Sequence, residues 1–143
     1  MFILTVFLLV NTMLAQNQGV TRAMDPISTF LAAADSGDTA KVAGSIKQGI
    51  EINVTDEQGY TALMRAVNHT SYPPPLPPSL KGTKAQKERD KRYQRKAEIM
   101  LMMVKTLVMR GADLDLRDED GRTALEIARM NHHTRILEFL KSK

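Results

Sequence analysis

The spacing of apolar positions changes several times along the chain. From Phe2 to Val10 (FILTVFLLV) the run is apolar all round, with Thr5 as its one polar member. Further on, Phe30, Ala33 and Ala34, then Val42 and Ile46, then Leu63 and Ala66 recur at three- and four-residue intervals. That is the stripe of helices that each bury one face. Residues 70 to 96 lose this rhythm and turn first proline-rich, then charged. It returns with Met100, Leu101, Met103, Val104, Leu107 and Val108, and again with Leu125, Ala128, Ile136, Leu137, Phe139 and Leu140. The pattern predicts an all-α chain of paired short helices with one much longer helix near its middle.

Two segments repeat one another. Gly49-Ile50-Glu51-Ile52-Asn53-Val54-Thr55-Asp56-Glu57-Gln58-Gly59-Tyr60-Thr61-Ala62-Leu63 aligns with Gly111-Ala112-Asp113-Leu114-Asp115-Leu116-Arg117-Asp118-Glu119-Asp120-Gly121-Arg122-Thr123-Ala124-Leu125. Gly49 and Gly111 stand where a helix ends on a left-handed residue. Asp56-x-x-Gly59 and Asp118-x-x-Gly121 are turn chemistry. Thr61 and Thr123 are placed to cap the next helix.

The arrangement D-x-x-G-x-T-A-L-x-x-A, followed by a second helix and G-A-D, resembles an ankyrin repeat. A first, degenerate unit runs through Phe30, Ala33, Ala34, Gly37-Asp38, Val42, Ile46 and Gly49, and Gly37-Asp38 matches the family's turn between paired helices. The units fall at about 28–55, 56–117 and 118–143, within a domain of residues 26–143. Ala62 and Ala124 replace the usual Pro, Met64 and Glu126 the usual His, and His132 the usual turn Gly. The resemblance implies a solenoid of helix pairs with short β-turn fingers. Gly59 and Gly121 lie 62 residues apart, whereas this repeat has a period of about 33. About 29 residues are therefore inserted, after His69 and between the two helices of the second unit. An insertion leaving at a turn keeps the stacking faces intact. Three units are near the minimum for a stable stack, so stability is expected to be marginal.

The insertion, about residues 70–96, holds five of the chain's six prolines, in Tyr72-Pro73-Pro74-Pro75-Leu76-Pro77-Pro78. Such a run favours an extended polyproline conformation and reads as a stiff spacer or a ligand for a proline-binding groove. From Lys81 to Lys96, eight Lys or Arg against Glu88 and Asp90 give a local charge of +6, while the whole chain is +4. The remainder therefore sums to −2. Thr83 and Gln86 fit a capping box, and no Gly or Pro follows before Gly111. A helix from about Lys84 to Met109 would be about 39 Å long, its second half packed in the stack and its first half projecting. Lys84, Lys87, Lys91, Arg92, Arg95 and Lys96 form its basic patch. Two readings stand: a solvated face, or a dock for an acidic partner or anionic surface.

The chain has 143 residues, 43% hydrophobic and 25% charged, with no Cys and no Trp. This is an ordinary globular balance that excludes disulfides, thiolate metal sites and Cys nucleophiles. The Phe2–Val10 run is too short to span a bilayer. It has the length of a signal-peptide core ending near Ala15, so residues 1–18 read as a signal peptide. That predicts an exported, periplasmic or secreted protein with no span in the mature chain; an uncleaved run would instead anchor it by its N-terminus. Export, and the lack of interleaved aromatics for stacking bases, disfavour nucleic acid.

No nucleophile elbow, phosphate loop or dinucleotide loop is present. His69, His132 and His133 have no neighbouring carboxylates at metal-ligand spacing and read as turn and surface histidines. The five carboxylates between Asp113 and Asp120 lack the Gly and terminal Glu of a calcium loop. Met100, Met102, Met103 and Met109 read as adaptable core. Neither enzyme chemistry, nor a cofactor, nor a metal is expected. The resemblance implies a protein-binding module that uses fingers and inner helices. Carried over position by position, its contacts are Glu57, Gln58, Tyr60, Asn68 and His69 in the second unit. In the third they are Glu119, Asp120, Arg122, Met130 and Asn131, with Tyr60 the best single anchor. An accessory that holds or protects an envelope enzyme is a further reading. Partner identity and oligomeric state are set by none of these patterns.

Overall fold

Pro26 opens the first helix because a residue at the first helical position needs no N–H partner. The computed structural model describes residues 25–69 and 77–143, and its six helices follow from such local signals. They are α1 (Pro26–Ser36), α2 (Thr39–Lys47), α3 (Ala62–Asn68), α4 (Lys84–Met109), α5 (Ala124–Met130) and α6 (Thr134–Lys141), with a 3₁₀ turn at Pro78–Leu80. The run Phe2–Val10 and most of the proline run lie outside the described residues.

Helix starts are fixed by side-chain oxygens that take up otherwise unpaired amides. Asp38, Thr61, Thr83 and Thr123 each accept from the backbone N–H three residues on. At α5 the Glu126 carboxylate also accepts from the Thr123 N–H (2.7 Å), completing a capping box. Glu126 thus supplies a bond of its own where the family's usual His is absent. At α4, Gln86 reaches back to the Gly82 N–H (2.5 Å). α2 and α4 both end on a left-handed glycine, Gly49 and Gly111. In each case the N–H beyond the glycine, from Ile50 or Ala112, bonds the carbonyl five residues back, Ser45 or Leu107.

α1, α3 and α5 stack as an inner row, and α2, α4 and α6 back them from outside. The whole is an all-α solenoid. Phe30, Ala34, Val42, Ala62, Leu63, Ala66, Met100, Val104, Leu107 and Ala128 form one continuous buried core. Alanines at the inner-row contacts let those helices approach closely. Between α2 and α3, and again between α4 and α5, the chain makes a finger. In the first, Thr55 and Thr61 form an antiparallel bridge and the Gly59 N–H closes a turn on the Asp56 carbonyl (3.1 Å).

α4 runs unbroken for 26 residues. Met100, Leu101, Met103, Val104 and Leu107 are buried in the stack. Lys84 to Ala97 project from the inter-helix turn, with Gln86, Arg89, Asp90 and Tyr93 half-buried along one face and the rest exposed. Two sequence expectations need correction. Met102 and Met109 are not core: they are 64% and 79% exposed, because their rotation about the helix axis points them away from α3. His133 is no surface histidine either. It is half-buried, and its Nε2 is shut from solvent without a hydrogen-bond partner.

Candidate binding face of fingers and inner helices

Each finger is braced by one aspartate and one arginine. In the first, Asp56 accepts from the Gln58 and Tyr60 amides (2.9 Å each) and from Nε of Arg65 (2.9 Å), and also pairs with Arg65 Nη2. In the second, buried Asp118 accepts from the Arg122 amide (2.8 Å) and its Nε (2.9 Å). Burial works to raise both carboxyls. The hydrogen bonds outweigh it and hold both below the ordinary 3.8. Glu126 is likewise held low, chiefly by the Thr123 amide.

The fingers are tied to each other. Arg122 Nη2 donates to the Tyr60 hydroxyl (2.8 Å), and the Glu119 N–H donates to the Gln58 carbonyl (3.2 Å). Asn53 accepts from the Asp113 N–H (2.9 Å). Gly59 sits so close beneath the second finger that an added Cβ would lie 3.1 Å from the Asp118 Cα. At the opposite end of the inner row, Asn131 Nδ2 donates to Asn68 Oδ1 (3.2 Å), and His69 Nδ1 lies 3.1 Å from Asp35 Oδ1.

The candidate contact residues therefore divide. Glu57, Gln58, Glu119 and Asp120 form one exposed row across the fingertips. Asn68, Met130 and Asn131 form a second row at the far end of the inner helices, beside His69. Tyr60 and Arg122 belong to neither: both are half-buried, Tyr60 lies 5.5 Å under the Arg65 guanidinium, and they clamp one finger on the next. Lys84, Lys87, Lys91, Arg92, Arg95 and Lys96 are all exposed on the projecting half of α4 and belong to neither row.

Between α1 and the first finger lies a groove of about 350 Å³, lined by Asp25, Ile27, Ser28, Leu31, Thr55, Asp56, Glu57, Gln58 and Arg65. Sequence reading did not find the α1 side of it, because the first unit carries none of the motif from which contacts were carried over. The available signal was the helical stripe alone. Among the described residues no group of three His, Asp or Glu is placed to hold a metal ion, and no helix is long and apolar enough to cross a membrane.

A sequence profile for ankyrin repeats (many copies) matches residues 100–140, the stacked half of α4 together with the third unit. The same finger and helix pair are built twice in this fold. The chain has the ankyrin-repeat fold. Among solved structures it is similar to the ankyrin repeat protein EF0377, with 26% identity over 78% of this chain and a TM-score of 0.55. It is similar to a chain in the complex of a predatory endopeptidase from Bdellovibrio bacteriovorus with an immunity protein, with 26% identity over 80% of this chain and a TM-score of 0.55. These repeats span 45% of each of those two chains. No curated protein matches the sequence. The ankyrin fold supports a protein–protein interaction module.

Proposed function

We propose that this ankyrin-repeat solenoid is a non-enzymatic module that grips a protein partner along its fingertips and inner helices, anchored at the groove beside α1. The observation that carries the reading is the groove itself. Ile27 and Leu31 supply apolar wall, and the Asp25 and Glu57 carboxylates stand beside it. Asp56 is already neutralised by Arg65. A long basic side chain with an apolar stem fits that chemistry. Asp56 and Asp118 are held low by their hydrogen bonds, so they stay charged at neutral pH, the reverse of what a general acid requires. Affinity purification with the native chain as bait should recover a partner. Charge reversal at Glu57 and Asp25 should weaken its binding at least tenfold, with Glu119→Lys and Asp120→Lys adding a smaller loss. Equal binding by all these variants overturns the proposal.

A second reading rests on the exposure of all six residues of the basic patch. Here the projecting half of α4 docks an acidic partner or anionic surface, and binding falls steeply with salt. Salt-independent binding rejects it. Export is part of the proposal, carried by the sequence of Phe2–Val10 and Ala15. The intact mass of chain recovered from native cells should lack about 15 to 18 N-terminal residues. A full-length mass in the soluble fraction removes export. The similarity to a chain in the solved complex of an endopeptidase with an immunity protein supports a narrower form, in which the chain protects or holds an envelope enzyme.

A further inference from the structure

We propose that the outer face of α4 is a self-association surface on which a second copy of this chain packs antiparallel. It lies on the opposite side of the inner row from the proposed partner groove and does not depend on that reading. Three of the four large hydrophobic side chains exposed among the described residues, Ile99 (49%), Met102 and Met109, lie on this one face. With Thr106 they form a line at positions 99, 102, 106 and 109. The Thr106 hydroxyl donates back to the Met102 carbonyl (2.9 Å). It is thereby satisfied within the helix.

The spacing of three, four and three residues is the narrow seam of a helix–helix contact. A lipid surface would call for a broader apolar face. The seam is also its own mirror in antiparallel register: Ile99 opposes Met109, and Met102 opposes Thr106. A groove of about 470 Å³, lined by Gly37, Thr39, Arg95, Glu98, Ile99 and Met102, runs beside it. In this register, Met109 of the second copy lies next to that groove, and the two-fold axis fills both grooves at once. Methionine is flexible enough to fill such irregular space.

Charge selects this orientation and this occupant. The projecting half of α4 carries Lys84, Lys87, Lys91 and Arg95 in line with the seam, within a segment of net charge +6. The finger segments, residues 49–60 and 111–122, together carry −6. A parallel pair would set lysine on lysine. The antiparallel pair carries each basic half past the other copy's Met109. There the helix C-terminus presents the negative end of its dipole, and Asp113 and Asp115 are exposed.

Sedimentation equilibrium of the purified chain over a hundredfold concentration range should give a species of twice the monomer mass, weakening several-fold from low to high salt. Met102→Glu and Met109→Glu should each weaken the dimer at least tenfold, while Met130→Glu, an exposed methionine on α5, leaves it unchanged. Circular dichroism melts identify any variant that fails to fold. Because the chain has no native cysteine, Met102→Cys/Thr106→Cys should cross-link into dimers on oxidation, and Lys84→Cys should not. A monomer at every concentration overturns the proposal, including one that instead binds an acidic helix or anionic vesicles. So does a dimer indifferent to both glutamate variants.

Discussion

At the turn between α5 and α6, His132 holds a left-handed backbone (φ 56°), and the glycine in the matching turn, Gly37, has φ 81°. A side chain costs about 1–2 kcal/mol there, and that of His132 is exposed. His132→Gly should therefore raise stability by about 0.5–1 kcal/mol after the extra chain entropy of glycine is subtracted, read from the urea midpoint. Gly59 and Gly121 share φ 76°, but only Gly59 has backbone pressed against it. Gly121→Ala should cost about 1 kcal/mol. Gly59→Ala should cost about 3 kcal/mol, because the second finger must move as well. Equal losses would mean that the two fingers do not bear on each other. Tyr60 is a strut before it is an anchor: Tyr60→Phe should lose about 1 kcal/mol with the Arg122 bond, so Tyr60→Ala alone cannot report on partner binding.

At the scale of elements, α4 is one helix with two energies. Its stacked half is buried, and its projecting half has little to bury against. Amide exchange should be strongly protected from Met100 to Leu107 and weakly from Lys84 to Ala97; uniform protection would show that the projecting half is packed in solution. Thr123→Ala, which removes one arm of the α5 capping box, should cost about 1–2 kcal/mol. The long helix, its Thr83 cap, the turn glycines and the finger turns were legible in the sequence, because each is set by residues within a few positions of one another. The site was less so. The Arg122–Tyr60 bond and the groove join residues that are distant in the chain, and the first unit lacks the motif. The outward phase of Met102 and Met109 was equally hidden, since composition marks methionine as core and only the stack decides which side of α4 is covered.

At the scale of the molecule, acid should loosen the stack in two stages. Burial, then the neighbouring His132, pushes His133 below its ordinary 6.5. A depressed histidine favours folding fully above that value, and the contribution is lost as pH falls below it, because the unfolded chain takes the proton first. Asp56, Asp118 and Glu126 are also depressed, so their contribution holds above the ordinary carboxylate range and is lost beneath it. Urea midpoints should therefore drop between pH 7.5 and 5.5, and His133→Asn should flatten that first drop while leaving the second, below about pH 4, in place. The continuity of α4 has a metric consequence. With no hinge between Met100 and Lys84, the tip stands about 24 Å from the stack along the axis. α4 is then a ruler, and a ligand that touches both its tip and the fingers must match a fixed interval. Two weak footholds at that interval would act as one strong grip, whereas a change of a few residues in the length of the rod would break the match and leave two weak ones.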